Sequence, residues 1–324
     1  MWLYLAALLG LHFLRRWYRE RQTVENLTEK YVFITGCDSG FGNQLARQLD
    51  TRGMRVLAAC LTQKGAEELE KVTSGRLKTT ILDVTSTESV AAATEWVKGC
   101  VGDKGLWGLV NNAGIGVPTA PNGWLTKEDF ENVIRVNLLG LIDVTLHMLP
   151  LVRRARGRVV NVASVIGRLA VFGGGYCPSK YGVEAFSDSL RRELFPFGVQ
   201  VSIIEPGGFA TSIGQKVEEN FKAVWSRAPS DAREAYGQKY FEEIYRSFQE
   251  IVRQGSSNLR LVTDKIEHAL TSCHPRTRYS AGWDAKLFYL PVSYLPTSLA
   301  DCVLTRSLPR PGAGSVDHFP GTAP

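Results

Sequence analysis

The chain has no Cys-x-x-Cys pair, and its six cysteines (Cys37, Cys60, Cys100, Cys177, Cys273 and Cys302) show no metal-ligand spacing. Its five histidines form no constellation either: His268 and His274 stand six apart, on poorly matched faces of any helix, so no metal site is expected. Also missing are an internal repeat, a nucleic-acid motif, and an unbroken apolar run of about 20 residues, the length that crosses a hydrocarbon core of roughly 30 Å. The net charge of +6 is partly local, because Arg15, Arg16, Arg19 and Arg21 against Glu20 leave +3 in seven residues. That cluster follows an apolar stretch, which points to anionic lipid headgroups and not to nucleic acid. Cys37 lies in a glycine turn and Cys177 beside a tyrosine, so the cysteines read as reduced, small apolar side chains.

What is present begins at the N-terminus. Residues 1–14 are nearly all apolar and would form a helix of about 21 Å. Trp2, Tyr4, Trp17 and Tyr18 extend it as interfacial residues. Charges follow the run instead of preceding it, and no small-residue cleavage site is evident. Residues 1–22 therefore read as an uncleaved membrane anchor with a basic flank. The arginines favour a body on the cytosolic side, whereas glycan on the Asn26-Leu27-Thr28 sequon would reverse that topology. At the other end, residues 283–304 are apolar but broken by Pro291, Pro296 and Asp301. They fit a substrate-capping flap or a membrane-surface element within an extension over 261–308. The Pro- and Gly-bearing tail over 309–324 is expected to be disordered.

Between these ends a single α/β domain is expected over residues 28–260, with short β-rich runs alternating with helical patterns from about residue 30 to 204. The run Tyr31–Thr35 is followed at once by Gly36-Cys37-Asp38-Ser39-Gly40-Phe41-Gly42, and then by a helical pattern in Leu45, Ala46 and Leu49. A strand, a glycine-rich turn and a helix N-terminus in that order can hold a dinucleotide pyrophosphate on free N–H groups and the positive end of the helix dipole. Further runs end at Asp83-Val84, at Asn111-Asn112-Ala113-Gly114 and at Pro206-Gly207, with Thr211 beyond. Each places polar groups at the carboxyl end of a strand. The pattern predicts an α/β, Rossmann-type, doubly wound parallel sheet with helices on both faces.

Tyr176 and Lys180 are four apart, so a helix brings both to one face. A tyrosine hydroxyl ordinarily has a pKa of about 10, and a neighbouring ammonium favours its phenolate. Pro178 confines the pair to a helix's first turn. Ser164 lies twelve residues before Tyr176, at the end of an apolar run.

Together, T-G-x-x-x-G-x-G, D-V, N-N-A-G, Asn137, Ser164, Y-x-x-x-K and P-G-x-x-x-T resemble the short-chain dehydrogenase/reductase family over roughly residues 30–212. The resemblance implies a catalytic group of Tyr176, Lys180, Ser164 and Asn137. Tyr176 would take the alcohol proton, Ser164 would fix the substrate oxygen, and Lys180 would tune the tyrosine and hold the nicotinamide ribose. Asn137 would anchor a water that links the lysine to solvent. The cofactor would lie against Gly36, Asp38, Ser39, Gly40, Phe41, Gly42, Asp83, Val84, Asn111, Ala113, Gly114, Pro206, Gly207 and Thr211. Neither an acidic residue nor an arginine ends the second strand at Cys60-Leu61-Thr62. Asp38 would repel the 2′-phosphate of NADP and Lys64 would attract it, so NAD is expected with NADP not excluded.

Ser164, Ile166, Phe172 and Phe209 are expected at an apolar substrate pocket. The stretches Glu184–Glu193 and His274–Lys286 narrow the resemblance to the microsomal retinol dehydrogenases and their 3α/17β-hydroxysteroid dehydrogenase relatives, the type 6 kind especially. That branch implies NAD-linked oxidation of a retinoid or steroid alcohol at the endoplasmic reticulum membrane, and it is compatible with a homo-oligomer. The alternatives are the same chemistry on a long-chain or ceramide-derived alcohol, and a catalytically inactive, membrane-tethered nucleotide-binding scaffold.

Overall fold

Alternation within the strands builds two cores on one sheet. In β1 (Tyr31–Thr35), Val32 and Ile34 face one way and Phe33 the other, and all three are fully buried. Strands buried on both faces are the mark of a parallel sheet covered by helices. The computed structural model describes residues 2–306 and 308–311. Before β1 comes α1 (Trp2–Glu20). After it come α2 (Gly40–Thr51), β2 (Arg55–Cys60), α3 (Gln63–Glu70), β3 (Lys78–Ile81), α4 (Thr87–Val101) and β4 (Gly108–Asn111). The chain continues through α5 (Lys127–Ile134), α6 (Leu141–Ala155), β5 (Arg158–Val162), α7 (Tyr176–Leu194), β6 (Gln200–Pro206), α8 (Ser212–Arg227) and α9 (Ser230–Arg253). It closes with α10 (Arg260–Thr271), β7 (Arg278–Ala281), α11 (Leu290–Ser293) and α12 (Thr297–Thr305).

The seven strands are all parallel, in the order β3-β2-β1-β4-β5-β6-β7. Leu45, Leu49, Leu69, Ile266 and Leu270 of α2, α3 and α10 cover the Val32/Ile34 face. Val97, Met148, Val152, Leu190 and Leu194 of α4, α6 and α7 cover the Phe33 face. Strand order reverses between β1 and β4, which opens a crevice at their carboxyl ends.

Two features differ from the sequence reading. The sheet does not end near residue 260: α10 buries Val262 and Ile266, and β7 pairs with β6 from Ile203↔Arg278 to Pro206↔Ala281. The first part of the segment read as an extension, through β7, is thus integral to the domain, and the chain beyond β7 adds no strand to the sheet. The second concerns α1, whose end is clamped to the body. Glu20 pairs with Arg276 (Oε1 to Nε, 2.6 Å), its carbonyl oxygen lies 2.8 Å from His268 Nε2, and Cys273 N donates to Gln22 O at 2.8 Å. Further toward the N-terminus, Tyr4, Leu11, Phe13, Leu14 and Tyr18 are exposed.

Among the described residues, one helix is long and apolar enough to cross a membrane, the continuous run Lys127–Ala155. Its Val144, Met148 and Val152 pack into the sheet core, which makes it a core helix. The expectation for the tail from 309 falls, beyond residue 311, outside the described residues.

Candidate active site

The glycine turn brings backbone to backbone. Gly36 has φ +71°, and a Cβ there would stand 2.8 Å from Ala113 Cα; at Gly42 a Cβ would run into the carbonyl of Gly36. Asn112 fastens the two segments, its Nδ2 donating to Thr35 O at 2.9 Å and Gly36 O at 3.1 Å. Asp38 reaches across to the end of β2. It accepts from Leu61 N at 2.7 Å, from Thr62 N at 2.9 Å and from Thr62 Oγ1 at 2.7 Å. The carboxylate missing from the end of β2 is therefore supplied by the turn beside it.

A cavity of about 600 Å³ runs from this turn to the head of α7. Gly36, Asp38, Ser39, Gly40, Phe41, Asp83, Val84, Ala113, Gly114, Pro206, Gly207 and Thr211 line it, as do Ser164, Ile166, Phe172, Tyr176, Lys180 and Phe209. Three residues read as site members are not on its wall. Gly42 serves the packing of the turn. Asn111 lies beneath, with Nδ2 donating to Thr145 Oγ1 and Asn161 Oδ1, both at 2.8 Å. Asn137 sits in a π-helical turn, Arg135–Gly140, between α5 and α6. Its Oδ1 accepts from Ile115 N at 2.8 Å, and its Nδ2 donates to Ile115 O at 2.9 Å and lies 3.1 Å from Ser179 Oγ. Asn137 thereby ties the segment after β4 to the helix that carries Tyr176, a common use of a π-bulge at a site.

Ser164 stands two residues beyond β5, its Oγ donating to Pro206 O at 3.4 Å and accepting from Ile166 N at 3.3 Å, close enough to Tyr176 to favour its phenolate. Tyr176 opens α7, and Pro178 falls in the first turn as the spacing requires. Burial pushes the Tyr176 hydroxyl up to about 12, and Ser164 pulls the other way. Lys180 Nζ stands 5.5 Å from the Tyr176 ring centre and donates to Val162 O at 2.8 Å. Burial brings this lysine down to about 8, with Glu184 opposing. In this protein alone, then, desolvation outweighs the help that the tyrosine receives.

The substrate end was only partly readable. Phe172 stacks on Tyr176 with ring centres 6.3 Å apart and meets Phe248 of α9 at 6.0 Å. Phe248, Ile251 and Val252 from α9 and Tyr289 from beyond β7 complete the apolar wall. Their spacing of three and one is a helical face, but nothing local says which surface that face covers. Phe209 meets Phe41 edge to face at 5.4 Å, which sets it over the glycine turn as much as over the substrate end. An aromatic cluster of Trp124, Phe221, Trp225 and Phe241 holds the α8–α9 hairpin in place, together with Arg227 to Asp129 at 2.6 Å.

Comparison with known proteins agrees with this geometry. A family model described as short chain dehydrogenase matches residues 30–222. The chain is 65% identical over 306 residues to retinol dehydrogenase 7 of Rattus norvegicus, covering 94% of this chain and 96% of that one. It is 64% identical over 313 residues to 17-beta-hydroxysteroid dehydrogenase type 6 of Homo sapiens, covering 96% and 99%. Among solved structures, a short-chain dehydrogenase from Streptomyces avermitilis superposes with a TM-score of 0.68 at 24% identity, over 86% of this chain and 96% of that one. One from Burkholderia phymatum in complex with NAD gives 0.67 at 23%, over 88% and 98%. At that identity the likeness concerns the fold.

Proposed function

The chain belongs to the short-chain dehydrogenase family, and from that premise we propose that it oxidises a lipophilic secondary or allylic alcohol, a retinoid or a 3α/17β-hydroxysteroid, with NAD. The observation that carries this is one apolar cavity with Asp38 at one end and Ser164, Tyr176 and Lys180 at the other, walled by Ile166, Phe172, Phe248 and Tyr289. Gly36 packed on Ala113 and Gly42 packed on the Gly36 carbonyl set the shape of the turn that would receive a pyrophosphate, and Asp38, held by Leu61 and Thr62 N–H groups, suits ribose hydroxyls and opposes a 2′-phosphate. When bound, NAD supplies the hydride acceptor.

The chain's own residues do the rest. Ser164 orients the alcohol oxygen toward Tyr176, whose phenolate takes its proton. Lys180 favours that phenolate by its charge, and Asn137 holds α7 against the segment after β4. Fixed donors need no reorganisation as charge develops.

Residues 1–22 fit a membrane anchor that keeps the enzyme at the endoplasmic reticulum, with the arginines and body on the cytosolic face. The support is the exposure of Leu11, Phe13, Leu14 and Tyr18 together with the basic flank. The test is turnover of retinoids, hydroxysteroids and long-chain alcohols in membranes with NAD and with NADP. Reduction of NAD by a retinoid or a hydroxysteroid is expected. Activity confined to long-chain alcohols would replace the substrate class, and none with any alcohol would overturn the reading.

A further inference from the structure

Two sequence stretches that the reaction leaves unused, Glu184–Glu193 and His274–Lys286, meet in space. Arg278 of β7 donates to Glu184 Oε2 through Nε at 3.1 Å and Nη2 at 2.9 Å, and to Asp188 Oδ2 at 3.0 Å. On its other side, Arg278 Nε lies 3.5 Å from Glu205 Oε1, which also accepts from Arg168 Nη1 at 3.0 Å. Arg168 follows the turn after Ser164, and its Nη2 donates to Tyr294 Oη at 2.8 Å. Asp188 is also paired with Arg191 at 3.2 Å. The charged groups that act on Glu184 among the described residues are Glu205 of β6, Arg278 of β7 and Arg168 of the turn, and Glu184 in turn acts on Lys180 of α7.

Only one of its carboxylate oxygens is engaged. Glu184 Oε1 is buried without a hydrogen-bond partner, and Glu184 lies one helical turn after Lys180. A buried carboxylate with a free oxygen is costly unless its charge is used. We propose that Glu184 is a positioning residue for Lys180, a carboxylate that keeps the lysine charged in its apolar site and is itself held by Arg278. The proposal rests on the reading of Lys180 as a catalytic residue.

Burial and the nearby Glu205 raise Glu184 to about 7, and the charge of Glu184 raises Lys180 against the burial that brings it to about 8. Between those values both groups are ionised, and the pair has its largest mutual effect. Glu184→Gln keeps an acceptor for Arg278 and removes the charge, so the lysine should lose its proton at lower pH.

The titration is read directly on full-length protein in detergent micelles, by NMR of lysines carrying ¹³C at Cε. The Lys180 signal is the one lost in Lys180→Arg. Glu184→Gln is expected to move its midpoint down by about 0.5–1 pH unit. Glu184→Asp should fall between it and the unaltered protein. A merely structural glutamate would change thermal stability and leave that midpoint in place. An unmoved midpoint in folded Glu184→Gln, or in Glu184→Asp if the glutamine variant does not fold, overturns the proposal. Alcohol turnover by the unaltered protein decides the underlying reading separately, since the NMR titration needs no substrate.

Discussion

Asp284 accepts a hydrogen bond of 2.6 Å from the backbone N–H of Gly208, two residues beyond the end of β6. A Cβ at Gly207 would run into the same carboxylate, so the loop Pro206–Gly208 is fitted around it. A residue after the last strand therefore shapes a loop on the cavity wall. Asp284→Ala removes a charged hydrogen bond of about 1.5–3 kcal/mol, and some of that is expected to appear in cofactor binding. The apparent KM for NAD should rise about ten-fold, with Asp284→Asn closer to normal. Steady-state kinetics on the three proteins check this.

Tyr176→Phe keeps the ring that packs on Phe172 and removes the proton acceptor. Turnover should fall by at least about 100-fold while cofactor affinity, followed by NADH fluorescence, stays within about two-fold. Retained turnover would take Tyr176 out of the mechanism.

The pH dependence has a defined sign. Alcohol oxidation needs Tyr176 deprotonated, and burial holds it up at about 12 in the protein alone. Oxidative kcat/KM should therefore climb with pH from neutral into the alkaline range, whereas ketone or aldehyde reduction should decline. Initial rates in both directions across pH 6–10 test the pair of slopes.

Cofactor choice should turn on Asp38. Its substitution by alanine frees the N–H groups of Leu61 and Thr62 and removes the negative charge at the end of β2. The ratio of kcat/KM for NADP over NAD should increase about ten-fold or more. No change in that ratio would mean that exposed Lys64 governs the choice.

The clamp on α1 separates two truncations. Removing residues 1–14 leaves Glu20 and Gln22 on Arg276, His268 and Cys273, whereas removing 1–22 deletes that contact. The longer truncation should melt several degrees lower by differential scanning fluorimetry. Glu20 is held down near 2, chiefly by its bond to Arg276, from an ordinary 4.5. A depressed carboxylate stabilises fully above its ordinary value and ceases to as pH falls through the depressed one. The difference between the two truncations should therefore shrink from about pH 4.5 toward pH 2.

The glycine turn, Ser164 and the Tyr176/Lys180 pair were legible because each depends on spacing within one strand end or one helical turn. Asn111 bonds Thr145 and Asn161 beneath the cavity while part-buried Asn112 lines it, since a strand's last residue and its first follower point in different directions and spacing alone does not say which of the two faces the cavity. Strand β7 is hard to read because it is four residues long, with only Tyr279 and Ala281 on its buried face and Arg278 and Ser280 on the other. It exists through pairing with β6, seventy-odd residues earlier in sequence. The wall from α9 was hidden for a similar reason: Phe248, Ile251 and Val252 declare an apolar face, and only tertiary packing assigns it to the cavity.

The clamp also has a bearing on how the molecule lies. Residues 273–276 precede β7, so α1 leaves from the amino ends of the strands, whereas the cavity opens at their carboxyl ends. The seven residues of β6 put about 20 Å between the two. Exposed Trp283 and Leu287 stand beyond the far end of β7, on the side of the cavity. If residues 1–22 anchor the protein as proposed and these residues touch the same bilayer, the strands lie along its surface and do not point into it. On that proposal an alcohol dissolved in the lipid would meet the cavity sideways, at a fixed remove from the proposed anchor, and the length of the sheet would be the ruler for that distance.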